Sequence, residues 1–207
     1  LLKTAFFIFK PPKTLASKLV QINPSLATKL EKNTSDYLYS AADLIDLAGR
    51  KYHSKRNHLN KFLRQYNWEY QAMTPAIAQE CLNIESAWFD VRDPEPCTEN
   101  EAMAIVLRNF QSLGVIGGVI KVDGVIQALT VGERLNRNTA VIHIEKANTE
   151  YDGAYAAINH EFAAREWSKM EFINREEDMG IEGLRKAKHS YYPVRMVEKF
   201  TVAVKPV

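Results

Sequence analysis

The stretch that most restricts the fold is "VIGGVIKVDGVIQALTVGERLNRNTAVIHIEKA", residues 115–147. Two apolar, β-branched runs flank Asp123-Gly124, a pair suited to the left-handed dihedrals of a two-residue hairpin turn. A second polar turn, Asn136-Arg137-Asn138, leads into a third long run. Three consecutive antiparallel strands are therefore expected. A sheet of this kind needs helices to cover its apolar face, and the flanking sequence must supply them.

The remaining elements follow from spacing and capping. "DYLYS" reads as a short strand. Leu44, Leu47, Leu59, Phe62 and Leu63 recur at helical spacing and predict a helix over 42–66, with Gly49 as its weak point. "WEYQAM" alternates as a strand, and Thr74-Pro75 starts a helix running to Trp88. "DPEPCTEN" is a loop in which Thr98 caps a helix over 99–113, with Glu101 in capping-box position. After the three strands come a helix capped by Asp152, a strand "MEFIN", a helix "IEGLRKAKHSY" and a final strand "VRMVEKFTVAV". The order predicts a mixed α/β layer protein, a mixed sheet with flanking helices. It is similar to the GNAT (acyl-CoA N-acyltransferase) order, in which a donor binds where two neighbouring strands splay.

Composition agrees with a globular protein: 207 residues, 46% hydrophobic and 25% charged. No apolar run approaches the ~20 residues of a membrane span, and "TAFFIF" is too short for a signal peptide. A cytoplasmic location, with peripheral membrane contact as a variant, is the expectation. Cys81 and Cys97 read as free thiols of a reducing compartment rather than a disulfide. They cannot hold a zinc by themselves, His160-Glu161 lacks a metal-site spacing, and no metal is assigned. The net charge of +2 conceals an uneven distribution. Between Leu47 and Trp68 there is no acid, while Arg50, Lys51, Lys55, Arg56, Lys61 and Arg64 supply cations. Such a helix lacks internal ion pairs and suits a polyanion, tRNA or another phosphate-rich ligand. The alternative is a plain solvated face.

Three places carry candidate chemistry. On a regularly alternating strand, Glu145 shares a face with His143, and Lys146 points the other way. The helix "DGAYAAINHEFAAREW" presents Tyr155, Asn159, Phe162 and Glu166 near one face, and its start at Gly153 offers free N–H groups. Close helix–sheet packing is the alternative use of that glycine. The third place is "FINREEDMG". Alternation puts Arg175 and Glu177 on one side of a strand, and Asn174, Glu176 and Asp178 on the other. Carboxylates gathered there, with Glu145 brought within reach, would bind an ammonium and raise one another's pKa. A solvated loop neutralised by Arg175 and Lys186 is the competing reading. No nucleophile elbow, Walker loop or dinucleotide fingerprint is present, so direct transfer between two bound substrates is expected.

The segments "DYLYS", "GRKYHSKRNHLNKF", "GGVIKVDGVIQALTVGE", "HIEKAN", "GAYAAINHEF" and "FINREEDMGIEGLRKAKHSYYPV" resemble a bacterial family, the C-terminal domain of phosphatidylglycerol lysyltransferase. That family is similar in turn to the Fem-type aminoacyltransferases, with two GNAT-like halves in tandem. The resemblance implies residues 1–40 as the remnant of a first half, 41–67 as a basic linking helix and 68–207 as a C-terminal GNAT-like domain; the chain begins at Leu1 rather than Met. It implies transfer of an aminoacyl group from aminoacyl-tRNA to an amine or hydroxyl acceptor. Acetyl-CoA-using GNAT enzymes cradle the pyrophosphate on a Gln/Arg-x-x-Gly-x-Gly/Ala loop. "EYDGAY" replaces it here, so coenzyme A is the less favoured donor. An acetyl-CoA-dependent N-acetyltransferase and a non-catalytic module for a cationic metabolite or RNA remain the alternatives. On this reading Glu145 and Asp178 hold or deprotonate the acceptor amine, and Tyr155, Asn159 and Asn174 orient it. Lys55, Arg56 and Lys188 hold phosphate, and Asn57, His58, Lys146, Arg175 and Glu176 complete the binding set.

Overall fold

The computed structural model describes residues 7–89 and 98–205. In chain order the elements are β1 (Phe7–Pro12), α1 (Lys13–Ile22), β2 (Leu26–Leu30), β3 (Asp36–Ser40), α2 (Ala41–Asp46) and α3 (His53–Gln65). There follow β4 (Trp68–Ala72), α4 (Pro75–Phe89), α5 (Thr98–Arg108), α6 (Phe110–Leu113), β5 (Ile116–Val122), β6 (Val125–Arg134) and β7 (Thr139–Ala147). The chain closes with α7 (Ala154–Glu166), β8 (Phe172–Asn174), α8 (Glu182–His189), β9 (Arg195–Val197) and β10 (Lys199–Val204). They form two compact units, one of residues 1–39 with 174–207 and the other of residues 40–173. Cys97 lies outside the described residues, as does most of the expected 93–100 loop. No helix among the described residues is long and apolar enough to cross a membrane.

The 40–173 unit is built on the strands β4 to β8, adjacent in that order. The expected hairpin forms: Asp123 and Gly124 take φ of 50° and 80°, and β5 pairs antiparallel with β6. On one face, Met73, Ala78, Cys81, Met103, Leu107 and Phe110 pack with Val119, Ile126, Leu129, Val131 and Ile144. Burial pushes the Cys81 thiol up to about 12, which makes it a packing residue and not a reactive one. Helix α7 packs against β5, β6 and β7 and against α2 and α3. It is buried nearly all round through Ala154, Ala156, Ala157, Ile158, Asn159, Phe162 and Ala163, and its small residues permit close approach.

Three expectations are corrected. The single helix over 42–66 is two: α2 stops where Leu47 adopts a left-handed φ of 46°, and Gly49 at 81° redirects the chain into a 3-10 turn before α3. Helix α7 starts at Gly153 with no side-chain cap, because Asp152 turns instead to Lys61. The final strand is also two, β9 pairing with β3 and β10 with both β1 and β2.

In the 1–39/174–207 unit, β10 lies between β1 and β2, and α1 rests on that sheet through Ala16, packed with Leu26 and Val202.

Candidate functional site

The central feature of the 40–173 unit is a bulge. Ile144 pairs with Val131 and Ile142 with Gly132, so His143 is an extra residue on β7. An inserted residue reverses the alternation beyond it. Glu145 therefore shares a face with Ile142 rather than with Val141. It joins Ile142 in lining a narrow slot with Leu44, Asn159, Phe162, Ala163, Trp167 and Ile173, while His143 turns to the exposed Glu133 at 3.2 Å. Asn159 Nδ2 donates to Glu145 Oε2 at 3.0 Å, so two of the expected residues do meet. The slot measures about 180 Å³ out to its mouth, yet it is nowhere wide enough for a water molecule. Trp167, absent from the sequence-based set, closes it edge-on to Phe162 with ring centroids 5.7 Å apart. The only sequence signal for it was an aromatic residue in the last turn of an Ala-rich helix. Tyr155 sits in the first turn of α7 and is 43% exposed. Lys146 lies opposite Leu129 on the adjacent strand.

Helix α3 covers the start of α7. A Cβ placed on Gly153 would lie 2.4 Å from the His58 carbonyl oxygen and 3.0 Å from Phe62 Cβ. Lys61 Nζ reaches Asp152 at 2.7 Å and His58 Nδ1 reaches it at 3.5 Å, and the Tyr66 and Tyr151 rings meet at 5.1 Å. The Lys61 ammonium holds the Asp152 carboxyl below the usual range. Of the other expected cation-bearing residues, Arg56 donates to the Leu47 and Gly49 carbonyls and so closes the end of α2. Asn57 contacts His53, and Lys55 is half-buried.

The acidic run belongs to the other unit, and there the structure departs from the expectation. The strand ends at Asn174, whose Oδ1 accepts from the Glu176 amide, and Glu176 and Met179 both take positive φ. The segment is a wound turn, so alternation does not continue through it. Asp178 is buried, 2% exposed. Its oxygens accept two hydrogen bonds from Arg185 at 2.8 and 2.9 Å, one from Tyr37 Oη at 2.6 Å and one from the Gly180 amide at 2.8 Å. The Arg185 guanidinium holds its carboxyl well below the ordinary range, opposite to the expected rise. Burial and then the Asp178 carboxylate push the Tyr37 phenol up to about 12. Glu177 is held by Lys10 and Lys199. Asn174 donates to Asp36, itself paired with Lys199. Lys188, expected to hold phosphate, is buried with its ammonium on the Arg175 and Glu176 carbonyls. Arg175 lies over the Tyr39 and Tyr191 rings, and Lys186 pairs with Glu182, outside the acidic run. Tyr37 and Arg185 were not among the expected residues. Arg185 lies seven positions beyond its partner across a turn, a spacing with no periodic signature.

The model of the family "Phosphatidylglycerol lysyltransferase, C-terminal" matches residues 13–203. The chain belongs to that family. A crystal structure of a conserved protein of unknown function from Bacteroides thetaiotaomicron superposes with a TM-score of 0.91 at 42% identity, over 98% of this chain and 71% of that one. The crystal structure of FemX superposes with a TM-score of 0.69 at 8% identity, over 98% and 72%. That likeness shows a shared fold, a mixed α/β architecture. An uncharacterised protein of Mycoplasmoides gallisepticum is 25% identical over 182 residues, 84% of this chain. The chain spans 58% of that relative's length.

Proposed function

We propose that this lysyltransferase-family chain is an aminoacyltransferase that moves an aminoacyl group from aminoacyl-tRNA to an amine or hydroxyl acceptor. The observation that carries the reading is Glu145, brought by the β7 bulge to the α7 side and fixed there by Asn159. A positioned carboxylate can take the acceptor's proton as its nitrogen or oxygen attacks the ester carbonyl. The tetrahedral adduct then collapses, the ester C–O bond breaks, and the ribose hydroxyl leaves with a proton. Holding the two substrates in register supplies much of the acceleration. Asp178 has no part in this step, because its oxygens are occupied by Arg185, Tyr37 and Gly180.

The start of α7, where acetyl-CoA enzymes cradle pyrophosphate, is filled here by the chain's own α3 and edged by Asp152. This favours tRNA over coenzyme A as donor. Calorimetry is expected to show no coenzyme A binding, and micromolar affinity would replace the proposal with acetyl transfer. A second reading, a module that binds a cationic metabolite without turnover, is favoured by the narrowness of the slot. Single-turnover transfer from charged tRNA separates the two.

A further inference from the structure

Thr130 on β6 is wholly buried in an otherwise apolar stretch, Ala128-Leu129-Thr130-Val131. A buried hydroxyl is costly unless it is hydrogen-bonded, and a valine would fill nearly the same space without that cost. Here the hydroxyl donates to the Ile144 carbonyl oxygen at 2.8 Å. That carbonyl belongs to the peptide joining Ile144 to Glu145, immediately beyond the extra residue His143. A bulge disrupts the strand ladder locally, and a buried carbonyl beside it needs a partner. Thr130 also stands directly opposite Glu145 in the pairing of the two strands, so the two residues are neighbours on one face of the sheet. Two positions further on, Gly132 pairs with Ile142, and a Cβ there would run into the Val141 carbonyl oxygen. The run Thr130-Val131-Gly132 thus gives β7 room for its bulge and an anchor just after it.

We propose that Thr130 is a positioning residue for Glu145. Its hydroxyl fixes the peptide from which Glu145 extends, and so sets the carboxylate where Asn159 Nδ2 meets it at 3.0 Å. This rests on the aminoacyl-transfer reading, in which Glu145 takes the acceptor's proton, and adds the group that holds the base in place. Without the hydroxyl the Ile144 carbonyl loses this donor in a buried setting, and the peptide shifts to find another. Glu145 moves with it. A misplacement of about 1 Å in a reacting group can cost 10²-fold in rate.

Thr130→Val removes the hydroxyl and keeps the branched shape, whereas Thr130→Ser keeps the hydroxyl and drops the methyl. Thr139→Val is the control, since it removes a buried hydroxyl at the far end of β7, bonded to Asn138. Two readouts are taken for each variant. One is single-turnover transfer from charged tRNA at saturating donor. The other is the Asn159 side-chain amide pair in ¹⁵N-labelled protein, assigned by its loss in Asn159→Asp. Thr130→Val is expected to slow transfer by about 10²-fold, with donor affinity unchanged, and to move the Asn159 pair. Thr130→Ser should restore both, and Thr139→Val should change neither. Normal transfer with an unmoved Asn159 pair in Thr130→Val overturns the inference. So does an equal loss in Thr130→Ser or in Thr139→Val, which would trace the effect to packing. The wild-type protein supplies a check that needs no variant. Its Thr130 hydroxyl proton should be visible and slow to exchange, and rapid exchange overturns the inference even where Thr130→Val fails to fold. The underlying reading fails separately. If wild-type protein transfers from no aminoacyl-tRNA, that reading falls, while an Asn159 shift in Thr130→Val that is absent in Thr130→Ser still upholds the anchoring of Glu145. Equal transfer by wild type and Thr130→Val keeps the reading and sinks the inference.

Discussion

Replacing Glu145 by Gln keeps the shape of the slot and removes its charge, and Asn159 can still donate to the new amide oxygen. Transfer activity is therefore expected to fall by about 10²–10⁴-fold, the usual worth of a positioned general base, with the melting temperature nearly unchanged. Asp178→Asn should behave in the opposite way. It leaves a neutral amide at a buried position facing Arg185, whose side chain is 41% exposed, so stability should fall, with water screening part of the loss. Urea denaturation reads this directly. The sign with pH follows from the depressed carboxyl. The native state binds the Asp178 proton less readily than the unfolded chain does, so its contribution is complete above the unfolded pKa of about 4. It is lost as pH falls from there through the lower, folded value. Wild-type stability should decline over that acid range, and Asp178→Asn should remove this part of the decline. An unchanged acid limb would show that the clamp contributes nothing to folding. From the sequence, Glu145 and Asp178 looked like partners in one task. The difference between them lies in Arg185 and Tyr37, whose approach depends on a turn with two non-glycine positive-φ residues that no spacing rule encodes.

At the level of elements, what could be read was local. The Asp123-Gly124 hairpin is specified by two residues and their flanks, and it forms as expected. The β7 bulge is set by pairing with β6, so a period-of-two reading put Ile142 and Glu145 on opposite sides where the structure puts them together. The break between α2 and α3 was half visible: Gly49 marked it, whereas the left-handed Leu47 did not. The seat of α3 on α7 provides two tests. Gly153→Ala adds a Cβ at φ +90° against the His58 carbonyl, and strain of this kind costs about 1–3 kcal/mol. Chemical denaturation should show that loss, and an unchanged stability would mean that the two helices do not meet as described. The polyanion role of α3 is cleanest to test at Lys55 and Arg64, since Arg56 holds the end of α2 and its replacement also weakens the fold. Lys55→Glu with Arg64→Glu should weaken tRNA binding and reduce the salt slope by about 1 for each phosphate contact removed. A salt-independent affinity would mean that the helix is merely solvated.

Across the whole chain, family membership and element order were legible because they rest on many short segments read together. The use made of each charge was not, because it depends on residues distant in sequence meeting within each unit. Lys10 on Glu177 and Asn174 on Asp36 are examples, with 167 and 138 positions between partners. The first 39 residues gather with the last 34 in one unit, so truncating either end should expose that unit's core and lower solubility. The most direct test of the proposed chemistry is a single-turnover reaction. Excess protein is mixed with radiolabelled aminoacyl-tRNA and a panel of amine and hydroxyl acceptors, and label is followed from tRNA into product. Label should leave the tRNA for an acceptor, at a rate that falls by about 10²-fold or more in Glu145→Gln. Fully charged tRNA after prolonged incubation, or transfer that proceeds equally well with Glu145→Gln, would contradict it.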